Sequence, residues 1–220
     1  MKKIILSITL LFLAISGYCQ QYGKPVKLDS LVTVSLPAGY QIKDTLGNRI
    51  FSGNGLYGYM TVIRQPNAKN NAALNKASDL NNALKAYIKG IQGQSAGGSV
   101  QNVRDTLIGK RLKAKAFTLE TDDGSGDVNY RYFILLYTTE VTYTFQYVFP
   151  SNRVDVVKDE NKAFMSSIAI STELQRDDQY LSNATGLSPT NKIEIFGGGG
   201  LVLLLVLVLV FRKKKQPSLG

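Results

Sequence analysis

The chain has 220 residues, with 26 Lys and Arg against 16 Asp and Glu, one Cys and no His. Without His, the usual general base near neutral pH and the commonest metal ligand are missing. The lone Cys19 sits in a leader-like segment, so a mature chain cut after it has no disulfide, thiolate ligand or thiol nucleophile, and no cofactor is implied.

The formal charge of +10 is largely terminal. With Lys2, Lys3 and the four cations Arg212, Lys213, Lys214 and Lys215 set aside, 20 cations face 16 carboxylates. A net +4 is an ordinary soluble surface and gives no support to nucleic-acid binding.

Residues 1–19 read as a secretory signal. Lys2 and Lys3 open it, Ile4–Ile15 is the apolar stretch, and Gly17 and Cys19 are the small residues before a cut ahead of Gln20. Lipid attachment at Cys19 is a further reading, against which the large Tyr18 counts; retention as an N-terminal anchor is another.

An exported domain is expected over 20–170. Residues 20–30 are a polar lead-in, and Leu31–Leu36 alternates apolar and polar as a half-buried strand does. Arg49–Phe51 and Tyr57–Arg64 predict a hairpin joined by Ser52-Gly53-Asn54-Gly55. Leu74, Ala77, Leu80, Leu84, Tyr87, Ile88 and Ile91 form one apolar stripe, which predicts a helix from about Asn70 to Ile91 capped by Asn70 or Asn71. Four strands follow: Val100–Ile108, Lys110–Thr121, Tyr130–Tyr137 and Val141–Phe149. In the last, Tyr143, Phe145, Tyr147 and Phe149 share one face, with Thr142, Thr144, Gln146 and Val148 on the other. A second helix capped by Ser151 or Asn152 carries Val154, Val157, Asn161, Phe164, Met165 and Ile168 on its inner stripe. These elements predict an α+β fold, an antiparallel sheet packed against helices.

From Ser171 to Glu194 the apolar periodicity stops, and the segment reads as a polar tether. Ile195–Phe211 is then a run of 17 residues without a charge, 13 of them Leu, Val, Ile or Phe. As a helix it covers about 25 Å, close to a hydrocarbon core of about 30 Å. The cluster Arg212, Lys213, Lys214, Lys215 would stop transfer and stay cytoplasmic within the tail 212–220. A single-pass anchor and a sorting signal clipped by a membrane protease both fit this pattern. Either places the domain on the periplasmic or extracytoplasmic side of the cell membrane.

The strand ending in Pro37-Ala38-Gly39-Tyr40, the central helix, the strands over Lys110–Glu120, Tyr130–Tyr137 and Val141–Phe149, and the closing helix through Phe164 and Ile168 together resemble the PsbP-like α/β/α sandwich. The likeness covers about 26–170. It implies that fold and a tendency toward binding or assembly roles; it carries over no catalytic residue.

Several local patterns invite chemistry. Gly93-Gln94-Ser95-Ala96-Gly97 has nucleophile-elbow spacing, but a helix precedes it and no His can take the proton. Gly53-x-Gly55-x-x-Gly58 has dinucleotide spacing, but a β-like segment follows where a helix N-terminus is needed. Asp122, Asp123 and Asp127, with Gly124 and Gly126, form either a weak cation turn or a solvated turn. Arg111, Lys113 and Lys115 share a strand face, as an anionic-partner surface or as the charged guard of an edge strand. Asn183-Ala184-Thr185 fits a glycosylation sequon by chance.

The functional expectation is a non-enzymatic, membrane-anchored exported domain that binds or supports another envelope protein, with the lipid bilayer as its other partner. The alternatives are an envelope hydrolase using carboxylates such as Glu120 and Glu140 or Ser-Lys chemistry, and a ligand sensor.

Overall fold

The computed structural model describes residues 23–68, 73–95, 98–122 and 128–182. The leader (1–19), the second half of the tether (183–194), the apolar run (195–211), the basic tail (212–220), the sequon, Asp123 and Asp127 lie outside them. Among the described residues no helix is long and apolar enough to cross a membrane.

The fold is α+β, mostly antiparallel sheet with two helices. The strands are β1 (Lys24–Lys27), β2 (Val32–Leu36), β3 (Gln41–Thr45), β4 (Asn48–Asn54), β5 (Tyr59–Pro66), β6 (Ser99–Ile108), β7 (Leu112–Asp122), β8 (Val128–Tyr137), β9 (Val141–Pro150) and β10 (Ala169–Ile170). The helices are α1 (Ala77–Gly93) and α2 (Lys158–Ser166). One sheet runs β3-β4-β5-β9-β8-β7-β6, and a small one runs β1-β2-β10.

Each face of the large sheet has its own core. On one side Met60, Val62, Leu136, Tyr143, Phe145, Tyr147 and Phe149 pack with Val32, Val34 and Leu36 of the small sheet and Phe164 of α2. On the other, Leu80, Leu84, Ile88 and Ile91 of α1 cover Phe117, Leu119, Phe133 and Leu135. The Phe117 and Phe133 rings stack there at 4.6 Å. The layers are therefore α1, the seven-stranded sheet, then the small sheet together with α2. One outer layer of the expected helix–sheet–helix sandwich is partly β.

Strand β9 is fourth of seven and lies between the two cores, and both its faces are buried. Thr142, Thr144 and Gln146, on the face opposite the aromatic residues, are therefore buried as well. Helix α1 begins at Ala77, later than the expected Asn70. Before it, the carbonyls of Leu74 and Asn75 accept the N–H groups of Leu181 and Ser182, which holds the segment extended. The Asp79 carboxylate then accepts the N–H of Lys76 at 3.1 Å and closes the first turn. At 151–153 the chain makes a short 3-10 turn, and α2 starts only at Lys158.

The domain does not stop at 170. Leu174, Gln179 and Tyr180 are buried, and Gln179 is fully so. Its amide oxygen accepts the N–H of Lys113, and its amide nitrogen donates to the carbonyls of Lys113 and Tyr137, each at 2.8 Å. Residues 171–182 thus belong to the fold rather than to a tether. A segment without apolar periodicity is held by a few well-placed side chains.

The large sheet has two ends. Pro66, Leu112, Tyr137 and Val141 mark one; Tyr59, Asp122, Val128 and Phe149 mark the other. The described chain enters near the Phe149 end, where Lys24 pairs with Leu36 and Pro37 lies against Gly53. It leaves near the Tyr137 end, three residues after Gln179.

Candidate functional site

The three cations grouped on one strand face do three different things. Strand β7 is bonded on both sides, so it is not the edge; β6 is. Lys115 lies directly opposite Asp105, and its ammonium sits 2.6 Å from that carboxylate. The Lys115 side chain is only 7% exposed while Asp105 is 85% exposed: a buried stem reaches a wet partner. Arg111 donates to the carbonyls of Ser171 (3.0 Å) and Thr172 (3.3 Å), fastening the C-terminal segment. Lys113 alone of the three stands exposed, its ammonium 5.3 Å from the centre of the Tyr180 ring. The trio therefore guards no edge, and of the face suggested for an anionic partner Lys113 alone stands exposed, with Lys115 buried and Arg111 bonded to the C-terminal segment. The edge is blunted on β6 itself, by a bulge between Gln101 and Arg104, with Asn102 at φ 55° and exposed Arg104 and Asp105.

Two carboxylates unmarked by any motif organise the interior. Asp29 accepts the N–H groups of Leu31 (2.9 Å) and Val32 (3.0 Å), Arg64 Nε (2.7 Å) and the Tyr143 hydroxyl (2.6 Å). Burial pushes its carboxyl up, but the bonds from Tyr143, Arg64 and the two backbone groups outweigh it, and its pKa falls below the ordinary value. Glu160 of α2 is 3% exposed and accepts the N–H groups of Leu56 (2.5 Å) and Tyr57 (2.9 Å) and the Tyr147 hydroxyl (2.5 Å). Burial first, and then the bond to its carboxylate, pushes each tyrosine hydroxyl well above the ordinary phenol range. Both devices follow one plan: a carboxylate collects two adjacent backbone donors of a turn and a tyrosine of β9. Their role is to lock turns onto the sheet. The local signs were an Asp just before an apolar alternation and an acid at helical spacing from Phe164.

The glycine pattern at 53, 55 and 58 belongs to the β4–β5 hairpin, where the Gly55 N–H donates to the Gly58 carbonyl at 2.8 Å. A Cβ on Gly55 would meet the Glu160 carboxylate at 2.4 Å, and one on Gly58 would meet the Tyr147 ring at 2.5 Å. Those positions need glycine for close approach. Ser95 is buried, and its hydroxyl donates to the Ile91 carbonyl at 3.0 Å. Asp122 closes β7, while its two suggested cation partners lie outside the described residues. Among the described residues no group of three or more acidic, His or Cys side chains is placed to hold a metal ion. Glu120 sits opposite Ser99, near the Phe149 end of the sheet, and Glu140 is in the β8–β9 turn at the Tyr137 end. They share no cleft.

Two clefts open toward the Tyr137 end. One, about 400 Å³, lies between α1 and β6–β7, lined by Ala77, Leu80, Leu84, Asp105, Leu107 and Lys113. Leu107 and Val103 stand exposed on β6 because α1 does not extend over the sheet's last strand. The other, about 240 Å³, is lined by Leu31, Thr139, Glu140, Glu173, Leu174 and Asp178 and is acidic. The end of the domain is thus divided into an apolar, lysine-bearing half and an acidic half.

No protein-family model matches the chain, and no curated protein matches it. It is similar to a crystal structure of a protein from Bacteroides thetaiotaomicron VPI-5482, at 12% sequence identity and a TM-score of 0.43. The match covers 70% of this chain and 50% of that one, so the chain spans about half that protein's length. At that TM-score the likeness carries no argument about fold family or function.

Proposed function

We propose that the chain is a membrane-anchored exported domain of the cell envelope that binds or supports another envelope protein without catalysing a reaction. The observation that carries this is the uncharged run Ile195–Phe211 closed by Arg212, Lys213, Lys214 and Lys215, set opposite the leader-like residues 1–19. Apolar residues at the bilayer centre each favour insertion by about 0.3–0.6 kcal/mol, and the cations hold the tail on the cytoplasmic side. The PsbP-like assignment belongs to this proposal; the order of strand, central helix, strands and closing helix supports it. The domain's buried carboxylates are engaged in fastening turns, which suits a rigid binding module. The test is fractionation: intact cells are lysed, and membranes are washed with alkaline carbonate. The full-length product is expected in the pellet, with 23–182 open to added protease only from the outer side. Release of the unclipped chain by carbonate would overturn the proposal.

A further inference from the structure

The described chain leaves the fold at Ser182, paired with Asn75 and Lys76. Twelve residues, 183–194, separate it from the apolar run. Read from the sequence as a polar tether, that length spans about 20 Å, less than the roughly 33 Å height of a ten-residue strand such as β9. On the reading of the chain as membrane-anchored, the Tyr137 end is therefore the one held near the lipid. That end carries three exposed leucines: Leu181 at 57% and Leu107 at 56% on the side of β6, and Leu46 at 67% in the β3–β4 turn at the opposite edge of the sheet. Exposed Lys110 follows Leu107 in the β6–β7 turn, and exposed Lys113 lies directly opposite Leu107. Leu181 follows Tyr180, the residue beneath the Lys113 ammonium.

We propose that this patch, Leu107, Leu181, Lys110 and Lys113, is a docking surface for an anionic bilayer, the one in which the chain's own anchor sits. Leucines enter the headgroup boundary while lysines meet lipid phosphates, as at other interfacial surfaces. The acidic half of the same end, Glu140, Glu173 and Asp178 around its cleft, is repelled by that surface. The domain is thus tilted with β6 and the start of α1 toward the lipid and the β8–β9 turn away from it. The inference rests on the proposed anchoring and adds an orientation to it.

The test uses the full-length chain reconstituted in vesicles, with Cys19→Ser removing the native thiol. An environment-sensitive fluorophore is attached at Leu107→Cys, Leu181→Cys or, as control, Leu56→Cys, which is exposed in the β4–β5 turn at the Phe149 end. Quenching by spin-labelled lipid is expected at 107 and 181 in phosphatidylglycerol-containing vesicles and is expected to be weak at 56. Each lysine near an anionic surface is worth about fivefold in the docked-to-undocked ratio, so Lys110→Gln and Lys113→Gln should each lower it by about that factor. Pure phosphatidylcholine should lower it more. Equal quenching at all three positions, no quenching at 107 and 181, or indifference to lipid charge would each overturn the proposal. Carbonate washing of the same vesicles separates the two ideas. A chain retained in the pellet with unquenched probes defeats the docking surface alone, whereas a released chain defeats the anchor.

Discussion

Glu160 offers the sharpest test of how this fold is held. Its carboxylate is buried and accepts three hydrogen bonds, from the Leu56 and Tyr57 N–H groups and the Tyr147 hydroxyl. Glu160→Ala leaves all three donors without that acceptor. A buried unsatisfied group costs about 1–3 kcal/mol, and water entering the vacated space recovers part of that, so a loss of about 3–5 kcal/mol is expected. A domain of this size is stable by only about 8–15 kcal/mol. Tyr147→Phe removes one donor and should cost about 1.5–3 kcal/mol, the range for a bond to a charged group. The double variant should be less destabilised than the sum, by about 1–2 kcal/mol, because its missing hydroxyl no longer lacks a partner. The assay is urea unfolding of a fragment spanning 23–182, which holds both apolar cores. A loss below about 1 kcal/mol for Glu160→Ala, or strict additivity in the cycle, would refute the claim that this carboxylate locks the hairpin.

Three further outcomes are expected. Asp29 titrates below its ordinary value when folded, so its stabilisation is complete above about pH 4 and is lost as pH falls through the folded value; Tyr143 and Tyr147 titrate above theirs, so their contribution is complete below about pH 10 and is lost as pH rises beyond it. Urea midpoints across pH should show both limbs, with Asp29→Asn flattening the acid one and Tyr143→Phe part of the alkaline one. Gln179→Ala should cost about 2–3 kcal/mol and admit protease at Arg176 in limited digestion, since three bonds to Lys113 and Tyr137 are lost. Gly58→Ala, which drives a methyl into the Tyr147 ring, should cost about 1–3 kcal/mol, whereas Gly90→Ala, which meets open space on α1, should add about 0.5–1 kcal/mol by helical denaturation curves.

Much of the secondary structure is legible along the chain because the relevant patterns are periodic and local. The stripe from Leu80 to Ile91 and the alternation from Val141 to Phe149 each carry their own geometry. What escapes notice depends on partners far away in sequence. Strand β3, Gln41–Thr45, is polar and exposed, and its pairing with β4 is what makes it a strand. Strand β1 has a single buried residue, Val26. The charges at Arg111, Lys113 and Lys115 suggest an edge, yet the edge is β6, and only the sheet order shows it. Ser171 to Ser182 lacks periodicity but is seated by Leu174, Gln179 and Tyr180. Glu160 looks like the wet side of a helix until the hairpin is folded over it. The candidate surface was the least legible of all, since Leu107 and Leu181 lie far apart in the chain.

The opposed entry and exit of the chain have a mechanical consequence. Gly23 lies beside Leu36, and Ser182 lies near Gln179 at the other extremity, so tension between the two would run along the strands rather than across them. Strand β1 would slide against β2, loading its ladder bonds together instead of peeling them one at a time. Such an arrangement suits a strut. Held at its C-terminal side, it would carry the hairpin tip with exposed Leu56 some 30 Å outward, within reach of whatever lies above.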